Sequence, residues 1–136
     1  MDNQTLIKFA LEARKYAYAP YSHFCVGAAL LTKDENIYAG CNIENAAYTP
    51  TNCAERTAFF KAISEGKSQF QAIAIVGGPE GTISEFITPC GVCRQVMMEF
   101  CNPATFKILI AIDEQNYKEY TLEEMLPMGF GPKNLK

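Results

Sequence analysis

The sequence predicts an α/β fold: a three-layer arrangement in which a mixed five-stranded sheet carries helices on both faces. Three observations lead there. Apolar residues recur at three- and four-residue steps in some segments and in short β-branched runs in others. The two kinds follow one another as α-β-β-α-β-α-β-β-α, and the two strand-helix-strand passages in that order imply parallel strands joined by right-handed crossovers. At 136 residues, 49% of them apolar, the chain suits one domain spanning 1–136. A domain of that size buries roughly 70% of its unfolded surface and needs no disulfides to hold it.

The first helix is marked by Leu6, Phe9, Ala10, Ala13, Tyr16 and Ala17, with Asn3 as cap and Pro20 as breaker. Phe24 to Lys33 and Ile37 to Ile43 read as strands, and the short turn Asp34-Glu35-Asn36 between them makes the pair antiparallel. Cys53 to Glu65, free of proline and followed by Gly66, predicts the second helix. Phe70 to Val76 is a β-branched strand ending at Gly77-Gly78-Pro79, and Cys90 to Cys101 is a third helix stopped near Pro103. Phe106 to Ile112 reads as a buried strand. A last strand near Tyr117 to Tyr120 leads into a capping box, Thr121 with Glu124, that opens a short final helix.

A net charge of −3 and the lack of a Lys/Arg run argue against nucleic acid as a partner. The longest apolar stretch, Phe24 to Leu31, is too short to span a membrane, and Met1-Asp2-Asn3-Gln4 lacks the features of a secretory signal. A cytoplasmic location follows as an expectation. There, six cysteines point to metal or catalysis.

Cys90 and Cys93 lie three residues apart at a predicted helix start, on one face, able to share an ion. Cys53 opens the other helix that follows a parallel strand, so both N-termini should emerge at one sheet edge. Helix N-termini also favour the thiolate, the form that binds metal. Cys101 is about 12 Å further along the helix, Cys25 and Cys41 sit in strands, and the lone histidine, His23, precedes the first strand. Three ligands and an open position are the pattern of a catalytic Zn²⁺ holding a water. Glu55, two residues after Cys53, can take that water's proton without ligating the ion. Three thiolates leave the site at −1, and two of the three arginines adjoin ligand cysteines. Arg56 is predicted to hydrogen-bond the sulfurs and restore acidity to the water; Arg94 is expected to pair with a surface acid.

Cys53-Ala54-Glu55 with Pro89-Cys90-Gly91-Val92-Cys93 resembles the zinc nucleobase and nucleoside deaminase signature. The resemblance continues through Pro20 to Leu30, Gly40 to Ala46, Cys53 to Ala58 and Leu126 to Pro132, which are similar to the cytidine deaminase family, small tetrameric type. It implies that family's fold, one Zn²⁺ per subunit, and hydrolytic deamination of cytidine and 2'-deoxycytidine to uridine and 2'-deoxyuridine in pyrimidine salvage.

The resemblance assigns further roles. Glu55 would protonate N3 and then the departing amine, the Thr88 carbonyl would face the leaving ammonia, and the Ala54 N–H would bind the base carbonyl. Phe24 would pack on the pyrimidine, and Asn42 and Glu44 would form a buried pair that hydrogen-bonds the ribose. A free base would leave that pair unsatisfied, at about 1 to 3 kcal/mol for each group. Tyr48 and Phe130 match positions that reach the site from neighbouring subunits, which implies a homotetramer with sites at its interfaces. The stretch Gly77 to Ile87 does not match the family closely.

Two other readings compete. One is a deaminase acting on another nucleoside or a cytosine-containing antibiotic. The other, from a different class, is a non-enzymatic zinc or thiol-redox module using Cys90 and Cys93, which would not need Glu55. Taken singly, Phe24, Tyr48 and Phe130 are also ordinary packing residues, Asn42 and Glu44 ordinary strand-end residues, and Cys25, Cys41 and Cys101 small buried apolar groups.

Overall fold

The computed structural model describes residues 1–136. Helix α1 (Asn3–Arg14) is followed by β1 (Phe24–Thr32) and β2 (Ile37–Cys41), then α2 (Ala54–Ser64) and β3 (Phe70–Pro79). Helix α3 (Gly91–Phe100), strands β4 (Lys107–Ala111) and β5 (Tyr117–Thr121), α4 (Leu122–Met125) and a 3₁₀ turn (Pro132–Asn134) complete the chain. The strands form one sheet in the order β2-β1-β3-β4-β5. Only β3 and β4 pair in parallel; β1 runs antiparallel to both β2 and β3. Strands β2 and β3 therefore point the same way with β1 between them, which is how the β2-α2-β3 passage keeps its predicted sense. No helix is long and apolar enough to cross a membrane.

Strand β1 is buried on both sides, and its alternation divides the core. Ala28 and Leu30 face the cluster of Ala58, Phe59, Met97 and Ile108 under α2, α3 and α4. Ala29 and Leu31 face Leu6, Ile7 and Ala10 of α1. The two-residue period of a strand thus builds the two outer layers that the sequence predicts. Phe59 anchors the larger cluster edge-on to Phe70, with ring centroids 5.1 Å apart, and burial of such a ring stabilises by about 1.5–3 kcal/mol.

Several boundaries differ from the expectations. Asp2, not Asn3, caps α1, its carboxylate accepting from the Thr5 N–H at 2.8 Å. The helix stops at Arg14, and Phe9 and Tyr16 face outward, because the sheet covers only the Leu6, Ile7 and Ala10 stripe. Strand β3 does not end at Gly77. Its last residues pair with the start of β1, Gly77 opposite Val26 and Pro79 opposite Phe24, since glycine still offers a main-chain donor and acceptor. Strand β2 ends at Cys41, and Ile43 survives only as an isolated bridge to Tyr18 and Asn52. Both Cys53 and Cys90 are N-caps, one residue before their helices. The capping box forms as predicted, Thr121 and Glu124 each accepting from the other's backbone N–H.

One glycine positions the site directly. A Cβ on Gly40 would lie 2.6 Å from Ala58 N and 2.7 Å from Ala54 O, so its absence lets the first turns of α2 rest on β2. That close approach fixes where the helix begins and so where Cys53 sits.

A three-sulfur centre at two helix starts

Cys53 and Cys90 have the extended backbones of N-cap residues, at φ −75°, ψ 155° and φ −66°, ψ 166°, and the Cys90 side chain turns back over its own helix start. Their sulfurs are 3.7 Å apart, and with the Cys93 sulfur all three lie within 4.8 Å of one another. Tetrahedral zinc with Zn–S bonds of about 2.3 Å would separate its sulfurs by about 3.8 Å. The donor set therefore fits Zn²⁺ in number, softness and spacing. The Cys93 N–H donates to the Cys90 sulfur at 3.4 Å, as a helix N-terminus does for an anionic cap. Cys93 is buried, Cys53 half-buried and Cys90 exposed, so the side of the cluster away from Cys93 faces outward.

The electrostatics favour an anionic sulfur at Cys53. The Cys53 thiol is pulled down to about 5, first by a hydrogen bond with Cys93 and further by Arg56. Cys93 is raised by the same shared hydrogen bond and by burial. Arg56 Nη2 donates to the Cys53 sulfur at 3.1 Å, while its buried Nε has no partner. Glu55 is 5% exposed. Burial, helped by the negative charge of Cys53, pushes its carboxyl up to about 7, poised for proton transfer near neutral pH.

The remaining predicted residues fall into separate groups. Ala54 is the first residue of α2, and its N–H lacks a partner within the helix. Thr88 is exposed and stands two residues before Cys90. Phe24 and Asn42 are joined through the backbone: Asn42 Nδ2 donates to Phe24 O and Val26 N donates to Asn42 Oδ1, both at 2.8 Å. Glu44 and Tyr48 line a cleft with Tyr21 and Ser22. Phe130, 57% exposed, lines a groove with Gln95, Glu99 and Pro132.

Three expectations need correction. Asn42 and Glu44 are half-buried, and both already have partners. Glu44 accepts from the N–H groups of Tyr21 and Ser22 at 2.9 and 3.1 Å and from the Ser22 hydroxyl. The chain brings the end of β2 across the start of β1, so main-chain donors satisfy much of the pair before any sugar arrives. Arg94 meets no surface acid; its Nε donates to Pro89 O at 2.7 Å and Nη1 to Met125 O at 2.6 Å. Cys25, Cys41 and Cys101 are half-buried, not fully enclosed, and none joins the sulfur cluster.

Ser22 is a residue the sequence reading passed over. Its hydroxyl bonds Glu44 and accepts from Phe24 N at 3.0 Å, so it links two predicted site residues. Its place between Pro20 and Phe24 was visible, but the contact with Glu44 spans 22 residues and no local pattern announces it.

Comparison with known proteins agrees with the geometry. Residues 1–109 match the model described as the cytidine and deoxycytidylate deaminase zinc-binding region. The chain is 50% identical over 135 residues to a cytidine deaminase of Sporosarcina psychrophila, covering 99% of this chain and 96% of that one. It is also 50% identical over 135 residues to a cytidine deaminase of Halalkalibacterium halodurans, covering 99% and 98%. A crystal structure of cytidine deaminase from Burkholderia pseudomallei superposes with a TM-score of 0.86 at 45% identity, over 96% of this chain and 100% of that one. Three sulfurs at zinc spacing, a buried carboxyl beside them and likeness along nearly the whole chain together make this protein a member of the cytidine and deoxycytidylate deaminase family.

Proposed function

We propose that the protein hydrolyses cytidine and 2'-deoxycytidine to uridine and 2'-deoxyuridine, releasing ammonia, in pyrimidine salvage. The observation that carries this reading is the buried Glu55 on the same helix opening as Cys53, beside three sulfurs within 4.8 Å of one another. Zinc, when bound there, supplies the Lewis acidity that makes water a nucleophile near neutral pH. Water oxygen bonds to C4 of the pyrimidine, the C4–N4 bond breaks, and no electron acceptor is required.

The chain's own residues do the rest. Glu55 takes a proton from the attacking water and delivers it to N3, then carries the water's second proton to the departing amine, which leaves as ammonia. Arg56 draws charge from the Cys53 sulfur through its 3.1 Å hydrogen bond. The Ala54 N–H binds the base carbonyl, and the Thr88 carbonyl receives the leaving ammonia. Phe24 packs on the ring. Asn42 keeps one N–H free after its two β1 contacts, and with Glu44 it binds the ribose.

The working unit in this reading is a homotetramer of single domains, with Tyr48 and Phe130 entering neighbouring sites; their 73% and 57% exposure in one chain supports that use. Six free cysteines support a reducing, cytoplasmic setting. The test follows the loss of cytidine absorbance with zinc-loaded protein, comparing cytidine, deoxycytidine, cytosine and CMP, with light scattering for the oligomer. Both nucleosides should be turned over, and Glu55→Gln should keep its zinc and lose about 10²–10⁴-fold in turnover. A fully active Glu55→Gln protein, or one that accepts CMP and refuses cytidine, would refute the mechanism.

A further inference from the structure

Arg14 closes α1 with its guanidinium spread over four main-chain carbonyls. Nε donates to Cys25 O at 2.9 Å, Nη2 to Gly78 O at 3.1 Å and Pro79 O at 2.7 Å, and Nη1 to Gly81 O at 3.1 Å. No carboxylate forms an ion pair with it. A full cation is thus spent on tying three stretches of backbone together: the start of β1, the end of β3 and the loop beyond. The helix comes close enough because β1 carries Gly27 beneath it, where a Cβ would lie 2.1 Å from Ala10 O and 2.6 Å from Arg14 N.

The residue this arrangement holds is Phe24. It pairs with Pro79 and is followed by Cys25 opposite Gly78, and Arg14 grips Cys25, Gly78 and Pro79. From the β2 side, Asn42 grips Phe24 O and Val26 N. The Gly27 contacts show that odd-numbered positions at this end of β1 face α1. Phe24 therefore shares the opposite face with Val26, which packs on the cluster containing Ala54 and Cys93.

We propose that Arg14 is a positioning residue for nucleoside binding: by bracing the start of β1 against the end of β3, it sets the height of Phe24 beside the sulfur centre. This rests on the reading of Phe24 as the residue that packs on the pyrimidine. Arg14 touches no reacting atom, so its effect belongs in affinity and not in the chemical step. A lysine has the charge but lacks the planar fork that reaches several carbonyls at once.

The experiment uses the full-length, zinc-loaded protein and the variants Arg14→Met, Arg14→Lys, Phe24→Ala and Arg14→Met/Phe24→Ala. It measures KM and kcat for cytidine, the Kd of uridine by calorimetry, and zinc per chain. Arg14→Met is expected to raise KM and the uridine Kd about tenfold while kcat moves less than about twofold, with zinc content unchanged. Arg14→Lys should fall between it and the parent and carries the comparison if Arg14→Met does not fold. The double variant should be no worse than Phe24→Ala, because both changes act through one ring. Parent-like KM and Kd in both Arg14 variants, or additive losses in the double variant, would overturn the proposal. If Phe24→Ala also leaves KM unchanged, the role given to Phe24 falls with it; if Phe24→Ala raises KM while the Arg14 variants do not, only the Arg14 proposal falls.

Discussion

Replacing Glu55 by glutamine should stabilise the metal-free fold, and by more as the pH rises. The carboxyl is 5% exposed and held up at about 7 against an ordinary 4.5, first by burial and then by the Cys53 charge. A raised folded-state value means that the fold prefers the protonated form. Stability is therefore intact below about 4.5, drains away as the pH rises toward 7, and stays low above it. At about 1.4 kcal/mol per pH unit, the wild-type protein should lose on the order of 2–3 kcal/mol between pH 5 and pH 8 from this group alone. Glutamine has the same shape and no such charge, so the gap between variant and parent should widen by that amount. For a chain of this length, that is about 10 °C in melting temperature. Thermal melts of chelator-treated parent and Glu55→Gln protein across that range test it. A difference in melting temperature that is flat with pH, or that shrinks as the pH rises, would refute the burial argument.

Arg56→Gln should raise the Cys53 thiol from about 5, seen as a later onset of alkylation with pH in metal-free protein, and should weaken zinc about tenfold in a chelator competition; no change in either would remove Arg56 from the site's electrostatics. Gly27→Ala forces a methyl group to 2.1 Å from a main-chain oxygen, so a loss above about 3 kcal/mol in denaturant melts is expected, and a loss under about 1 kcal/mol would show that α1 can shift. Thr121→Ala breaks the capping box and should lower stability by about 1 kcal/mol with turnover unchanged; altered turnover would tie α4 to the site.

The sulfur centre was legible because its signal is local. Cys90 and Cys93 sit three apart, Cys53 and Glu55 two apart, and the strand-helix order alone brings their two helix starts to one edge. The layers were legible from the order of elements, whose two strand-helix-strand passages place helices on the sheet's faces. Contacts between distant segments were not. Arg14 binds carbonyls 64 to 67 residues away at Gly78, Pro79 and Gly81, and nothing in Glu12-Ala13-Arg14-Lys15 distinguishes that arginine from a solvated end-of-helix charge. Arg94 was misread for a similar reason: a helical arginine looks ready to pair with a surface acid, while its fork is used on the carbonyls of Pro89 and Met125. Asn42 and Glu44 were placed as a buried pair by resemblance alone, which does not reveal how much of their polar capacity neighbouring backbone will claim. At Gly77-Gly78 the turn propensity was real, but pairing with Val26 and Cys25 overrode it.

The alternation of β1, with Ala28 and Leu30 turned one way and Ala29 and Leu31 the other, makes the strand a ratchet that can be cut only in even steps. One inserted or deleted residue between Val26 and Phe24 would leave both interiors intact yet swing the aromatic ring to the wrong side of the sheet, away from the cysteines. The register of this segment therefore tolerates swaps of side chain but not a change of length by one residue.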